Sequence, residues 1–292
     1  MMMRSLRRAE GTDVSESPFI RQKLALTSRE LKHWYRRRMQ LVIALVQPLI
    51  WLGLLGKMLS ATIGTAIPTF FTVFALGMVM ITALTTSMSS GMSLVWDRKL
   101  GFLEKMCVAP ISRSAIPLSR ILATTVKSVI QCTIVFIVGL ALGMEVTAFG
   151  IWSIPVALLA IIGVSFIFST VFITFGMLIR AQEVFMGVNI LLLMPLILVS
   201  GAVLPLGMMK SDGILESMLI TLAKCNPLTW ASDALRSAFM SDAALHPLGP
   251  SWPSILALPD LTMWLGILIL TVTAIAVTVW GMVIAKHALA PK

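Results

Sequence analysis

Six long runs of apolar residues constrain the fold of this 292-residue chain more than any other feature. Most of them reach the roughly 20 residues that an α-helix needs to cross the hydrocarbon core of a bilayer. Hydrophobic residues make up 58% of the chain, above the roughly 45–50% that is typical of soluble domains. The pattern predicts an all-α membrane protein with transmembrane helices at residues 39–59, 69–91, 121–142, 156–178, 184–199 and 261–284.

Basic residues are distributed unevenly between the segments that connect these spans. The segments on one side hold 19 of the 23 Lys and Arg residues. Because short loops rich in Lys and Arg stay in the cytoplasm, we expect a multi-pass plasma (inner) membrane protein with both termini cytoplasmic. The net charge of +10 then reflects membrane topology, so we expect no nucleic-acid partner.

The N-terminal region divides into two segments. Residues 1–19 are polar and of mixed charge, as in a disordered cytoplasmic tail. Residues 20–38 have a basic amphipathic pattern, which predicts an interfacial helix on the anionic inner leaflet. Contact with a cytoplasmic partner is the alternative role. Thr27 and Glu30 have the spacing of a capping box, which predicts that a helix starts or restarts there.

Residues 39–285 form the predicted six-span transmembrane domain, followed by a short cytoplasmic tail at 286–292. Between the fifth and sixth spans, in an outer region at 205–245, the apolar runs at 214–224 and 228–240 are too short to cross. We expect short interfacial or re-entrant helices there, covered by protein, because unpaired backbone is costly in lipid. Asp233 and Arg236 can pair on one helix face, and a surface ion pair is favoured over a ligand site.

Two predicted spans carry polar side chains at membrane depth. These are Thr82, Thr85, Thr86 and Ser89 in the second span and Gln131 in the third. Close packing of helices through small and polar residues is the favoured interpretation, and the lining of a solute path is the alternative. Both are compatible in a dimer.

Motifs for catalysis are absent from the sequence. It has no Gly-x-x-x-x-Gly-Lys-Ser/Thr phosphate loop and no metal-ligand spacing, and its three cysteines are scattered. We therefore expect that this chain is not an enzyme and holds no metal and no cofactor. If it transports a solute, we expect the driving force to come from elsewhere.

Four segments, taken together, resemble the type-2 ABC exporter permease family. The charged connection Trp-Asp-Arg-Lys-Leu-Gly-Phe-Leu-Glu-Lys-Met-Cys-Val-Ala-Pro-Ile-Ser-Arg at 96–113 is similar to the family's loop that ends in Pro-x-Ser-Arg, with Lys99 where an acidic residue is common. Residues 36–52 are similar to its basic entry and Pro-containing first span, and 198–205 to its Leu-Ser-Gly-x-x-x-Pro run. Residues 226–236 are similar to its Asn-Pro-Leu-Thr-Tyr-x-x-Asp-x-Leu-Arg run.

The resemblance implies the membrane subunit of an ATP-driven ABC exporter of drugs, lipids or glycans. Such a subunit pairs with a second permease, which we expect to be a second copy, and binds two copies of a separate ATPase that holds ATP and Mg. The connection 96–120 would couple to the ATPase through Gly101, Phe102, Leu103, Glu104, Pro110 and Arg113. The short outer helices would close the exit, with Ser200, Gly201, Pro205, Asn226, Pro227, Asp233 and Arg236. The alternatives are an ATP-independent channel or carrier, or a sensor or regulatory membrane subunit.

Overall fold

The computed structural model describes residues 18–36, 38–64, 68–101, 115–179, 181–203, 213–241 and 259–288. Within these ranges the chain is helical apart from turns and short connections, and it contains no strand. The helices are α1 (Pro18–Arg36), α2 (Arg38–Ile50), α3 (Lys57–Ile63), α4 (Phe70–Lys99), α5 (Ala115–Ala141), α6 (Ser153–Leu178), α7 (Gln182–Val199), α8 (Ile214–Cys225), α9 (Pro227–Phe239) and α10 (Pro259–Ala288).

Six helical segments are long and apolar enough to cross a membrane: Leu41–Ile63, α4, α5, α6, α7 and Gly266–Ile284 within α10. The predicted all-α class and the six spans are therefore confirmed. The helices at the charged connection are longer than predicted, because α4 continues to Lys99 and α5 already begins at Ala115. Hydropathy marks where a helix leaves the apolar layer, and charged residues can continue the helix beyond that point.

The first span is interrupted close to its proline. Pro48 lies inside α2, and a π-helical segment at Trp51–Gly56 follows before α3 continues the span. Proline has no N–H and its ring crowds the preceding turn, so a local change in helix geometry is expected beside it. The interruption of this span takes the form of this wider turn.

The second span, α4, is the central helix of the bundle. The most apolar 18-residue stretch of α4 is 94% buried, compared with 22% for that of the first span and 11% for that of the fifth. It packs mainly against α5 and α6, and α6 in turn packs against α10. Large side chains such as Phe74, Leu76 and Met80 are fully buried around it, so the core of the protomer surrounds α4.

Glycines allow two very close approaches to α4. A Cβ atom added to Gly77 would overlap the carbonyl oxygen of Ala202, just beyond α7. A Cβ atom added to Gly91 would overlap the carbonyl oxygen of Phe172 in α6, and Gly176 of α6 faces the backbone of Gly91 in return. At these points the elements are in backbone contact, which only glycine permits.

Candidate functional site

A buried arginine closes the base of the connection between α4 and α5. Arg120 is only 4% exposed. Its Nη1 atom donates a hydrogen bond to Ser93 Oγ at 2.8 Å, and its Nη2 atom forms an ion pair with Asp97. The same Nη2 atom lies 3.4 Å from Glu30 Oε1 of α1. One guanidinium thus joins the end of α4, the start of α5 and the helix α1.

The local sequence places these partners on matching faces. Ser93 and Asp97 are four residues apart on α4 and therefore lie on one face. On α1, Thr27 lies one turn before Glu30, and its hydroxyl donates to Ser119 O of α5 at 3.3 Å. Two positions of α1 therefore contact the first turns of α5.

The capping-box prediction for α1 is wrong. The helix begins at Pro18 and runs without a break through Thr27, whose hydroxyl also donates to Lys23 O at 2.8 Å within the helix. The spacing of Thr27 and Glu30 serves contact between helices instead of helix initiation. Sequence spacing alone does not distinguish these two uses, because residues three apart share a face in either case.

Of the six predicted ATPase-coupling residues, the structure describes Gly101. Its φ of +68° ends α4 in the left-handed conformation, and its N–H donates to Arg98 O at 3.0 Å. This is a glycine C-cap, which turns the chain sharply away from the helix. The other five, Phe102, Leu103, Glu104, Pro110 and Arg113, lie outside the described residues.

The predicted polar residues of the second and third spans divide into enclosed and surface positions. Thr82, Thr86 and Gln131 are buried inside the protomer, and the Thr86 hydroxyl donates to Gln131 Oε1. Thr85 is half-buried and Ser89 is exposed. The structure therefore joins Thr86 and Gln131 across the α4–α5 contact and leaves Ser89 on the protomer surface.

At the opposite end of α4, the short helix α9 is fixed by its first residues. The Asn226 side chain accepts a hydrogen bond from Leu228 N at 3.0 Å, and Pro227 occupies the first helical position. This Asn-Pro pair is a typical helix start, because asparagine caps the free N–H groups and proline has none to satisfy. Asn226 Nδ2 also donates to Leu196 O of α7 at 2.9 Å, so the cap attaches α9 to the fifth span.

The second attachment of α9 is Arg236, whose exposure is 0%. Its Nε and Nη2 atoms donate to Val73 O of α4 at 3.4 and 3.2 Å. Nη2 also donates to the carbonyl oxygens of Gly201 and Ala202, each at 3.1 Å. The expectation of a surface ion pair is therefore wrong for the arginine.

Asp233 does pair with this arginine. Its Oδ1 atom lies 3.7 Å from Arg236 Nη1. The Asp233 side chain is 24% exposed, and desolvation of the carboxylate raises its pKa to about 7, although the charge of Arg236 opposes this shift. Burial also lowers the pKa of Arg236 to about 10, so the guanidinium stays charged at neutral pH.

The turn after α7 and the end of α9 complete this region. The Ser200 hydroxyl donates to Ile197 O at 2.8 Å, and Gly201 has a φ of +65°. The Ser153 hydroxyl at the start of α6 donates to Ala238 O of α9 at 2.6 Å. Of the predicted outer residues, Pro205 lies outside the described residues, and the others gather around α9 and the end of α7.

The sequence analysis assigned no role to Arg120. The signal that could have indicated one is its position, as a basic residue at the border between the charged connection and the apolar run at 121–142. In the described part of the chain, no group of three His, Cys, Asp or Glu side chains could hold a metal ion. The charged side chains described above lie towards the two ends of the central helix. This arrangement positions helices relative to one another.

Six apolar helices of membrane-crossing length define a multi-pass helical membrane protein. Residues 21–240 match the family model of the ABC-2 type transporter. The chain therefore belongs to the ABC-2 type transporter family, as a type-2 ABC permease, and the family resemblance of the sequence is confirmed.

Relatives of this chain carry permease names. It is 29% identical over 237 residues to the putative transport permease ycf38 of Cyanophora paradoxa, a match that covers 79% of this chain and 78% of the relative. It is 26% identical over 143 residues to DrrC of Mycobacterium tuberculosis, named a probable doxorubicin resistance ABC transporter permease protein, covering 47% of this chain and 50% of that one. It is 26% identical over 184 residues to YbhR of Escherichia coli, named a probable multidrug ABC transporter permease, covering 60% and 45%.

Proposed function

We propose that this permease is the membrane subunit of an ATP-driven exporter and is coupled to a separate ATPase through the connection 96–120. The observation that carries the proposal is the Arg120 ion-pair group. It binds α1, α4 and α5 to one another where the connection leaves the bundle. A displacement of the connection by an ATPase would therefore reach α4, the central helix of the bundle, directly.

The exporter works as a dimer of two permease subunits in this proposal, with the translocation path between them. The burial pattern supports a path at the protomer surface, because Thr82, Thr86 and Gln131 are enclosed between α4 and α5. Two other spans, Leu41–Ile63 and α7, are the least buried of the six candidate spans. Their faces are available to a second copy or to the path.

In the proposed orientation both termini and the Arg120 group face the cytoplasm, and α8 and α9 lie at the outer face of the inner membrane. The excess of Lys and Arg in the segments on the Arg120 side supports this orientation. Helix α1 then lies on the inner leaflet, with Trp34 and Thr27 buried against the protein and the basic Lys32 and Arg36 exposed. ATP and Mg bind to two copies of the ATPase, and the permease itself is not catalytic.

The cargo class that we propose is that of drugs, lipids or glycans. The names of DrrC and YbhR refer to doxorubicin resistance and to a multidrug ABC transporter, which supports a cargo of the drug type. The exposed faces of the candidate spans are apolar, with Met194, Leu191 and Ile43 among them. A path bordered by such faces suits a molecule that also dissolves in the membrane.

Co-purification tests the proposal. The tagged permease, extracted from its source membranes in mild detergent, is expected to retain an ATPase in equal copy number and to show ATP hydrolysis that the isolated permease lacks. A permease that moves solute without any bound ATPase would be a channel or carrier, and the proposal would then be wrong.

A further inference from the structure

Arg236 is the largest fully buried side chain in the described part of the chain. A guanidinium without water is costly unless its donors are satisfied. Here Nε and Nη2 make four donor contacts to three backbone carbonyl groups, all between 3.1 and 3.4 Å. The charge is therefore balanced by backbone dipoles as well as by Asp233.

Two of these carbonyl groups belong to the turn that ends α7. The last carbonyls of a helix have no partner within the helix, and a positive group there is favourable. Arg236 brings a positive charge and donors to Gly201 O and Ala202 O, just beyond the end of α7, and Asn226 donates to Leu196 O in the last turn of the helix. The side chains of Arg236 and of the N-cap of α9 thus bind the end of the fifth span.

The remaining acceptor, Val73 O, lies in the second turn of α4, 163 residues away along the chain. The glycine contact between Gly77 and Ala202 brings α4 and the end of α7 together at the same place. Arg236 of α9 therefore lies where α9 meets α4 and the end of α7, and the backbone acceptors of its side chain come from α4 and from the turn after α7.

We propose that Arg236 is a positioning residue of the transport cycle, which makes α9 move together with the end of α7 and the start of α4. Separation of these elements would leave a charged guanidinium and backbone carbonyls unpaired in a site without water. The three elements therefore travel as one unit. The role in a cycle depends on the proposed exporter function, whereas the physical connection does not.

The physical connection is tested on the permease alone in lipid nanodiscs, by hydrogen exchange read out by mass spectrometry. In R236M, the amides of 227–240 and of 200–203 are expected to exchange at least about tenfold faster, while those of α5 and α6 stay within about twofold of the parent. R236K keeps the positive charge but lacks the planar guanidinium group with its several N–H donors. Its exchange rates are expected to lie between those of the parent and those of R236M. The matched control is K224M, which removes the same charge from an exposed position next to α9.

The role in the cycle is tested on the complex with its ATPase, using the native Cys225. This thiol is exposed at the end of α8, and a C107S background removes the thiol of the connection 96–120. In the parent, the rate of labelling by a membrane-impermeant maleimide is expected to differ between nucleotide-free and vanadate-trapped complexes. In R236M that difference is expected to disappear while ATP hydrolysis persists, and K224M should keep it.

The results that would overturn the role of Arg236 differ from those that would overturn the proposed exporter function. Exchange in R236M that equals K224M, or that rises equally throughout α5 and α6, would overturn the positioning role. The same holds if Cys225 in R236M keeps the parent's response to nucleotide. Failure to find any associated ATPase would instead contradict the proposed function, and the nanodisc measurement would still decide whether Arg236 connects these elements.

Discussion

Replacement of Arg120 by methionine gives a direct test of the ion-pair group at the base of the connection. The change removes a buried cation and keeps a long apolar side chain in its place. Asp97 and Glu30 would lose their shared partner, with side chains that are 27% and 31% exposed. Exposed pairs contribute about 0–1 kcal/mol, and removal of one partner from a buried pair costs about 3–5 kcal/mol.

The partial exposure of both carboxylates places the expected cost between these limits, at about 2–3 kcal/mol. Because α1 contacts α5 through Glu30 and Thr27, part of this loss should appear as local opening of α1. If the whole loss appeared there, the α1 amides would exchange about 30- to 150-fold faster, so the expected increase is a part of this upper limit. Hydrogen exchange with mass spectrometry on the permease in nanodiscs measures this rate peptide by peptide.

The control for R120M is K32M, which removes a positive charge from an exposed position of α1. K32M is expected to leave exchange within about twofold of the parent. A double-mutant cycle with E30Q should give a coupling between Glu30 and Arg120 of about 0.5–1 kcal/mol or more. If R120M exchanges like K32M, the guanidinium does not hold α1 on the bundle, and the structural basis of the proposed coupling route is refuted.

Three further changes test other parts of the molecule. G77A places a methyl group against the carbonyl of Ala202 and should lower stability by about 1–3 kcal/mol in detergent unfolding, whereas G187A, which meets nothing within 4 Å, should be neutral or stabilising. E104R is expected to weaken ATPase co-purification by about 1–3 kcal/mol through like-charge contact with a basic group of the partner, and unchanged co-purification and transport would leave Glu104 without a coupling role. Because the pKa of Asp233 is raised to about 7, the folded state prefers the protonated acid, so the melting temperature of the parent should fall as pH rises from 5 to 8, and D233N should remove this component. If the melting temperatures of the parent and of D233N change with pH in the same way, the raised pKa of Asp233 is refuted.

Much of the fold was predictable because run length and periodicity are local properties. The short helices at Ile214–Cys225 and Pro227–Phe239 follow from apolar runs that are broken by Asn226 and Pro227. The Asn-Pro start of α9 is a property of neighbouring residues, so the sequence contains its full signal. The predicted span bounds fall within a few residues of the helices, except at the charged connection.

The environment of Arg236 could not be predicted in the same way. Rules based on charge place arginine at a surface, and its acceptors here are backbone carbonyls of α4 and of the turn after α7, which carry no sequence signal. The central place of α4 is also hidden, because its apolar run resembles those of the spans that stay exposed. Burial of this kind is decided by tertiary contacts between distant segments.

The backbone contact between α4 and α6 at Gly91 and Gly176 has a mechanical consequence. With no side chain between them, the two helices touch backbone to backbone there, which leaves little room for one to shift against the other. Ser93, which binds Arg120, and Val73, which binds Arg236, are 20 residues apart on α4, about 30 Å along the helix axis. A tilt of about 5° around one end would displace the other by roughly 2.5 Å over that length. Because Arg236 attaches α9 and the end of α7 to this end of α4, a small rotation at one face of the bilayer suffices to carry all three elements at the other by that distance.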